Sequence, residues 1–358
     1  MAAQKQNNTR NPKTVHRLIC KDYCKDFPDI KDLTLAKKIY NENKQKFNSV
    51  EQARQFVRVI RGHKGKLNLD RMTDKSLVKP ITYDTTNSKR PYKEEVNTSA
   101  KVLVLDIETA PIRAYVWGIW NQNVATNQIQ SDWFCLTWAA KWLFQDKVYS
   151  GKLTPKEVFK QDDKRIIKGV WELLNEADIV IAHNGEKFDL PKLNARFIIN
   201  NLHPPLPYQS IDTLKHIRRQ FGFTSNKLDY VNKLLNLERK TDTGGFELWE
   251  RCMLGEKAAL DEMEGYNIND VKILEETYLH IRPWIKPHPN MGLFILDENQ
   301  HRCPSCGSAE LSEAGKGYHT TVNIYTALRC DNCGATARKR LPNISVNQRR
   351  HILQSSPK

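Results

Sequence analysis

Several acidic residues occur at positions where their type and spacing could hold metal ions. Asp106 and Glu108 follow the apolar run "VLVL" two residues apart, so both project from the same side of a predicted strand. Asp189 comes after a second apolar run, "IVIA", and its turn. Burying neighbouring carboxylates is unfavourable without a cation, and Mg²⁺ prefers carboxylate oxygens. This pattern predicts a magnesium site.

A tyrosine and a further aspartate lie on one predicted helix, "LDEMEGYNINDVKILEETYLHI". Tyr266 and Asp270 are four residues apart and therefore share a helix face. The spacing alone leaves two interpretations open, ordinary helix packing or a shared role in a metal site. Two Mg²⁺ ions ~3.5–4 Å apart can cleave a phosphodiester bond, one activating water and the other stabilising the leaving 3′ oxygen.

Three segments carry a resemblance to a known family. "LDIET" (105–109), "AHNGEKFDL" (182–190) and "YNIND" (266–270) resemble the motifs of DnaQ-like 3′–5′ exonucleases, in the order that family requires. The resemblance covers roughly residues 101–282. It implies a ribonuclease H-like α/β fold, with a mixed sheet flanked by helices. It also implies two Mg²⁺ or Mn²⁺ ions, held by carboxylates that are here Asp106, Glu108, Asp189 and Asp270.

The last motif of that family has a histidine form and a tyrosine form. Position 265 is Gly265, which excludes the histidine form, whereas Tyr266 matches the tyrosine form, called DEDDy. The resemblance implies that the phenol orients the attacking water by a hydrogen bond, because a phenol of pKa ~10 is a poor base at neutral pH. It further implies that Thr109, Asn184 and Phe188 hold the terminal nucleotide.

Other residues near these motifs have structural alternatives. Asn184 could simply be a turn residue in "HNG". Asp212 could support the site or cap a helix N-terminus. We expect His183 to be structural rather than a metal ligand. Of five tryptophans between residues 115 and 142, we expect most in the core and one or two in a substrate groove.

The eight cysteines form two groups. The first four are scattered among apolar neighbours and are predicted to pack as small hydrophobic residues: Cys20, Cys24, Cys135 and Cys252. The other four form two CxxC pairs, each followed by glycine: Cys303, Cys306, Cys330 and Cys333. Four thiolates suit one structural Zn²⁺ and leave no open position for catalysis. This region resembles a zinc ribbon.

The net charge of +15 is unevenly distributed. Residues 1–100 hold 22 Lys and Arg against 11 Asp and Glu, and residues 299–358 hold 9 against 3. The segment between them holds 25 against 27. Basic flanks around a near-neutral centre indicate a polyanionic partner, for which nucleic acid is the usual candidate; a solvated surface is the alternative.

Composition shifts divide the chain into five parts. We predict a basic, helix-turn-helix-like module of three helices (1–65), a polar linker (66–100), the exonuclease domain (101–285), the zinc ribbon (286–345) and a basic tail (346–358). The third helix starts at Ser49, a cap candidate, and its outer face is predicted to carry Arg54, Arg58, Arg61, Lys64 and Lys66. A generic three-helix cap is the alternative.

The leading functional hypothesis is a metal-dependent 3′–5′ exonuclease acting on DNA, single-stranded or at 3′ ends, in replication, repair or degradation. It would work free-standing or with a separate polymerase or replication protein. One alternative is an RNA 3′-end trimming nuclease; another is a non-catalytic nucleic-acid-binding protein. An exonuclease core joined to a zinc ribbon is phage-like. With no secretory signal and no apolar run long enough to span a membrane, we expect a cytoplasmic location, in the host if the protein is viral.

Overall fold

The computed structural model describes residues 12–62, 96, 98–237, 245–295 and 299–356. The chain divides into two compact units, Met1–Thr82 and Tyr83–Lys358. Most of the predicted linker, together with Lys64 and Lys66, lies outside the described residues. The five predicted domain boundaries stay predictions.

The N-terminal unit contains the three predicted helices, α1 (Pro12–Asp26), α2 (Asp32–Glu42) and α3 (Val50–Ile60). Apolar residues at helical spacing meet in a small core that contains Leu35, Ile39 and Val57, none of them exposed. Ser49 caps α3 as predicted, because its side chain accepts a hydrogen bond from the backbone N–H of Gln52.

Arg61 corrects one expectation for this unit. We predicted it on the exposed face of the third helix, but only 5% of it is accessible. Its guanidinium donates to the backbone carbonyls of Phe27 and Ile30 and to Asp32 Oδ1 at 3.1 Å. The periodicity failed here because α3 ends at Ile60, so Arg61 no longer follows the helix face.

The second unit is built around a five-stranded mixed sheet in the order β5-β4-β1-β6-β7. Central β1 runs antiparallel to β4 and parallel to β6. These strands are β1 (Val102–Thr109), β4 (Cys135–Trp142), β5 (Val148–Lys152), β6 (Ile179–Ala182) and β7 (Gln209–Asp212). In the chain between β1 and β4, two short strands form a separate antiparallel pair, β2 (Arg113–Ala114) and β3 (Ile129–Ser131). The fold is ribonuclease H-like and α/β, as predicted.

Helices cover both faces of this sheet. They are α4 (Pro155–Lys160), α5 (Lys164–Glu176), α6 (Asp189–Ile199), α7 (Thr213–Gln220), α8 (Leu228–Leu234), α9 (Glu247–Met253) and α10 (Lys257–Ile281). Side chains of β1 alternate between two apolar clusters, with Leu103 and Leu105 in one and Val102 and Val104 in the other. The second cluster packs against α10. The strand therefore has a defined face toward that helix.

A buried ion pair joins α10 to the sheet. Lys141 on β4 pairs with Glu275 on α10, and each is less than a tenth exposed. Glu275 Oε1 also accepts a hydrogen bond from the backbone N–H of Phe144 at 2.7 Å. A buried charge must be paired and hydrogen-bonded, so this contact fixes the register of α10 against the sheet.

The C-terminal region has a three-stranded antiparallel sheet in the order β10-β9-β8. Its elements are β8 (Leu311–His319), β9 (Ile324–Cys330), β10 (Thr336–Arg338) and a short helix, α11 (Val346–Arg350). Short 3-10 helices occur at Thr126–Gln128, Arg282–Trp284 and Met291–Phe294. None of the helices in the described part of the chain is long and apolar enough to cross a membrane.

Replacing Glu275 by alanine should lower the free energy of unfolding of the second unit by about 3–5 kcal/mol, because Lys141 would stay buried without its partner. Chemical denaturation of the full chain would measure the change. The matched control is Glu262→Ala on the same helix, where an exposed carboxylate pairs with Arg251 at 3.1 Å. That variant should lose no more than about 1 kcal/mol. Equal losses in the two variants would contradict a stabilising role for the buried pair.

Candidate metal and nucleotide site

The first two carboxylates lie at the end of β1. Asp106 and Glu108 continue the strand face that begins with Val102 and Val104, so the face that packs on α10 turns from apolar to acidic along one strand. The pairing of β1 with β4 shifts register between Glu108 and Thr109. Such an irregularity bends the strand and re-aims the side chains beside it. Both carboxylates are half-buried.

Helix α10 adds a third carboxylate to this pair. Oxygens of Asp106, Glu108 and Asp270 all lie within 4.8 Å of one another. Asp270 is only 1% exposed. Three carboxylates at this separation repel one another, and the low dielectric of a buried site strengthens the repulsion. A divalent cation among their oxygens would remove this repulsion, and a hard ion such as Mg²⁺ fits the donor set.

Asp189, the fourth predicted carboxylate, is placed differently. It is the first residue of α6, is 2% exposed, and lies outside the group of three. Its Oδ1 accepts a hydrogen bond from the backbone N–H of Ile107 at 3.1 Å. Ile107 separates Asp106 from Glu108, so Asp189 holds the backbone between the two β1 carboxylates. The structure thus brings three predicted ligands together and places the fourth against the strand that carries two of them.

Asn267 is a site residue that the sequence analysis missed. It is fully buried, and its Nδ2 donates to Asp106 Oδ2 at 2.5 Å. Its Oδ1 has no hydrogen-bond partner among the described residues. The amide thus fixes the orientation of one carboxylate from the helix that supplies another. Its position three residues before Asp270 places it on the same helix face, which is the signal that could have identified it.

Tyr266 lies on α10, the helix that carries Asp270, and packs against the apolar core. Its ring is half-buried and meets the ring of Trp249 edge to face, with centroids 6.4 Å apart. Tyr266 is one turn before Asp270 on α10. The packing that the spacing allowed is therefore present, and the water-orienting role of the phenol stays a prediction.

The turn after β6 is held by Asp212. Its carboxylate accepts hydrogen bonds from the backbone N–H groups of Asn184 at 3.0 Å and Glu186 at 3.3 Å. It also caps α7 by accepting from Lys215 N at 3.2 Å. The capping alternative for Asp212 is therefore confirmed; the same carboxylate also holds this turn, and its support of the site stays a prediction. Asn184 has a φ of 72°, a left-handed conformation that asparagine tolerates at turns.

His183 and Gly185 have structural explanations in the same turn. The two ring nitrogens of His183 contact Thr213 Oγ1 at 2.9 Å and the carbonyl of Asn226 at 3.2 Å, as expected for a structural histidine. A Cβ on Gly185 would lie 2.4 Å from Cβ of Ala182. Only glycine lets the turn approach the strand end this closely.

An aromatic and cationic cluster includes residues next to Asp189 in the chain. Phe188 directly precedes Asp189, and Lys192 lies one turn later on α6. The Lys192 ammonium sits 3.6 Å from the ring centroid of Trp133 and 5.2 Å from that of Phe188. Burial lowers the pKa of Lys192. The sequence analysis missed Lys192, which no motif marks.

Thr109, the last residue of β1, lies opposite the segment of chain that follows Trp133. It pairs with Cys135 across the sheet, and the next residue, Ala110, donates its backbone N–H to Phe134 O at 2.8 Å. Trp133 is therefore close in the chain to the strand segment opposite Thr109. Burial raises the pKa of the Cys135 thiol well above its usual value, which disfavours the thiolate. The predicted nucleotide-holding roles of Thr109, Asn184 and Phe188 stay predictions.

The four C-terminal cysteines meet in one buried cluster. Their sulfurs all lie within 4.8 Å of one another, with Cys303 and Cys333 at 3.7 Å and Cys306 and Cys330 at 3.6 Å. A tetrahedral ion with bonds of ~2.3 Å would separate its sulfur ligands by ~3.8 Å. The cluster has the size of such a site.

The two cysteine turns have the same backbone pattern. In each, the glycine after the second cysteine donates its N–H to the carbonyl of the first, at 2.9 Å for Gly307 and 2.8 Å for Gly334. Both glycines adopt positive φ, 82° and 79°, which disfavours any side chain there.

Two of the other cysteines are buried away from this cluster. Burial raises the pKa of the Cys20 and Cys252 thiols to about 12. Those two cysteines pack in cores, as predicted.

A comparison with protein-family models matches the central part of the chain. A family model described as RNase_H superfamily matches residues 146–282, a range that contains Asp189 and Asp270 but not β1. Among solved structures, the chain is similar to the family B DNA polymerase from the hyperthermophilic archaeon Pyrobaculum calidifontis. The identity is 17% and the TM-score 0.39, with 53% of this chain and 26% of that chain covered. The chain thus spans about a quarter of that polymerase's length. A search of curated proteins found no match.

Replacing Asn267 by alanine should weaken Mn²⁺ binding at the carboxylates by about 10–100-fold, because Asp106 loses the donor that orients it. Isothermal titration calorimetry on the full chain would measure the affinity. Asn194→Ala, which removes an exposed amide from α6, is the control and should bind as the unmodified protein does. Unchanged affinity in the Asn267 variant would show that this hydrogen bond does not position Asp106.

Proposed function

We propose that this protein is a metal-dependent nuclease that removes nucleotides from the 3′ ends of DNA. The observation that carries the proposal is the convergence of Asp106, Glu108 and Asp270 within 4.8 Å. The RNase_H superfamily match over residues 146–282 supports a nuclease. The exonuclease specificity rests on the resemblance of the three sequence motifs to the tyrosine form of DnaQ-like enzymes.

The carboxylates would hold two Mg²⁺ or Mn²⁺ ions. When bound, such ions supply a water of lowered pKa as nucleophile and positive charge for the leaving 3′ oxygen. Asp106, Glu108 and Asp270 would present oxygens to the ions, and Asp189 on α6 is the proposed fourth ligand. Asn267 keeps Asp106 oriented, which matters because misplaced ligands lose affinity and activity. The fold contributes by holding β1 and α10 in a fixed register, which keeps their carboxylates together.

The remaining site residues would hold water and substrate. The Tyr266 phenol would hydrogen-bond the attacking water and orient it toward phosphorus. Thr109, Asn184 and Phe188 would contact the terminal nucleotide. Lys192 lies close enough to Phe188 to meet a phosphate beside that ring, and its positive charge would favour the contact.

The cysteine cluster would hold one structural Zn²⁺. Four sulfurs fill a tetrahedral site, so it would stabilise the C-terminal sheet and take no part in hydrolysis. The basic flanks would bind the phosphates of nucleic acid. A separate polymerase or replication protein remains a proposed partner.

Replacing Asp106 by alanine should reduce 3′-end cleavage by about 10²–10³-fold or more, because a metal ligand is lost from the reacting centre. The assay uses matched 5′-labelled DNA and RNA oligonucleotides with Mg²⁺ or Mn²⁺. Asp261→Ala is the control, since it removes an exposed carboxylate from the same helix as Asp270.

A ladder that shortens from the 3′ end of DNA, and is lost only in the Asp106 variant, would support the proposal. A ladder on RNA alone would assign RNA trimming instead. No ladder on either substrate would favour a non-catalytic nucleic-acid-binding protein.

Replacing Cys303 by serine should lower the zinc content from about one ion per chain toward zero and destabilise the C-terminal sheet, because a thiolate ligand is lost. Mass spectrometry of metals and hydrogen exchange over residues 300–340 would measure both effects. Cys24→Ser, in the N-terminal unit, should keep its zinc. A zinc-free unmodified protein would contradict the proposed zinc site.

A further inference from the structure

The chain between β2 and β3 exposes large apolar side chains to solvent. We define the tryptophan loop as residues 115–125. Trp117 is 98% exposed, Ile119 87% and Trp120 83%. Apolar groups in such density at a surface usually mark a binding site. Of the five tryptophans between residues 115 and 142, Trp138 and Trp142 are buried in the core as expected, Trp133 is half-buried, and Trp117 and Trp120 lie outside the core.

Hydrogen bonds close the base of the tryptophan loop. Tyr115 N donates to Gln128 O at 3.0 Å, and Gln128 Nε2 donates to Tyr115 O at 3.0 Å. Ala125 N donates to Gln128 Oε1 at 2.8 Å. Below these contacts, β2 pairs with β3. The two ends of the loop are therefore held together by hydrogen bonds.

The base of the loop connects directly to the site. The chain enters it from Thr109, at the end of the strand that carries Asp106 and Glu108. It leaves through β3 toward Trp133, the ring that Lys192 covers. One end of the tryptophan loop therefore follows β1, which carries Asp106 and Glu108, and the other end leads to β4, which pairs with β1. A polymer whose end reached the carboxylates would lie near the strands from which this loop extends.

The chemistry of the loop selects among polymers. No charged residue occurs from Ala114 to Ser131, although 27% of the whole chain is charged. The tip instead combines the indole rings of Trp117 and Trp120 with the amides of Asn121, Gln122 and Asn123. Phosphates are bound by Lys and Arg, whereas unpaired bases are bound by aromatic stacking and by hydrogen bonds to their edges.

We propose that the tryptophan loop binds the bases of the single strand that leads to the 3′ terminus, by stacking on Trp117 and Trp120. This inference rests on the proposed nuclease function and names the form of its substrate. Phosphates near the terminus would meet Lys192, while bases further from it would meet the loop. A base-paired duplex end would have to open before its bases could stack there, so single strands are the preferred substrate.

The test measures binding and cleavage separately. Binding of a 5′-labelled single-stranded oligonucleotide is followed by fluorescence anisotropy in an Asp106→Ala background, where cleavage is lost. Changing Trp117 and Trp120 together to leucine should weaken binding by about tenfold for each ring lost, because leucine is apolar but has no π-face. Changing both to phenylalanine should retain most of the affinity. Phe159→Ala, which removes an exposed ring from α4, is the control and should have no effect.

Oligonucleotides with abasic sites identify the contact. If the rings stack on bases, removing the bases that face the loop should abolish the difference between the unmodified protein and the double-leucine variant. Normal single-strand binding and cleavage by the double-leucine variant would overturn the inference and leave the nuclease proposal intact. Loss of binding in that variant, from a protein that cleaves nothing, would support base stacking while the nuclease proposal fails. A change only in self-association, measured by sedimentation, would overturn the inference in favour of a contact between copies.

Discussion

The mutual repulsion of three carboxylates is the constraint on which the candidate site depends. Asp106, Glu108 and Asp270 come from a central strand and from a helix far along the chain, yet their oxygens lie within 4.8 Å. Nothing in local structure favours this arrangement. It is maintained because the apolar halves of the same two elements pack together, Val102 and Val104 against α10. Hydrophobic burial thus offsets the electrostatic cost of a site that a cation would neutralise.

Polar contacts set the fine geometry that apolar packing leaves undefined. The Lys141–Glu275 pair sets the register of α10 against the sheet. Asn267 orients Asp106 from that helix, and Asp189 holds the backbone of Ile107. Asp212 holds the turn that precedes α6. Each contact joins two elements, so each transmits the position of the sheet to a side chain at its edge. A site that must hold ligands within a fraction of an ångström needs contacts of this directional kind.

Charged and uncharged segments are separated along the chain. Basic residues are concentrated toward the two ends of the chain, whereas the tryptophan loop carries no charge at all. Lys192 combines both kinds of contact, because its ammonium is held against the rings of Trp133 and Phe188. Contacts to phosphates supply affinity that depends on salt, and contacts to bases supply stacking that does not. Such a division fits the proposed nuclease, which would hold a nucleic-acid strand while its 3′ end is shortened.

By itself, the sequence determined the two buried strands that precede Asp106 and Asp189, the helix that carries Tyr266 and Asp270, the three N-terminal helices and the two cysteine turns. Those features follow from local periodicity and from spacing within a few residues, which a linear chain displays directly. Only the tertiary structure decided that Arg61 is buried, that Asn267 orients Asp106 and that Asp189 binds the backbone N–H of Ile107 between the two β1 carboxylates. It also separated the core tryptophans from the two in the exposed loop. These outcomes depend on contacts between residues distant in the chain, where no periodicity can show which polar groups will meet.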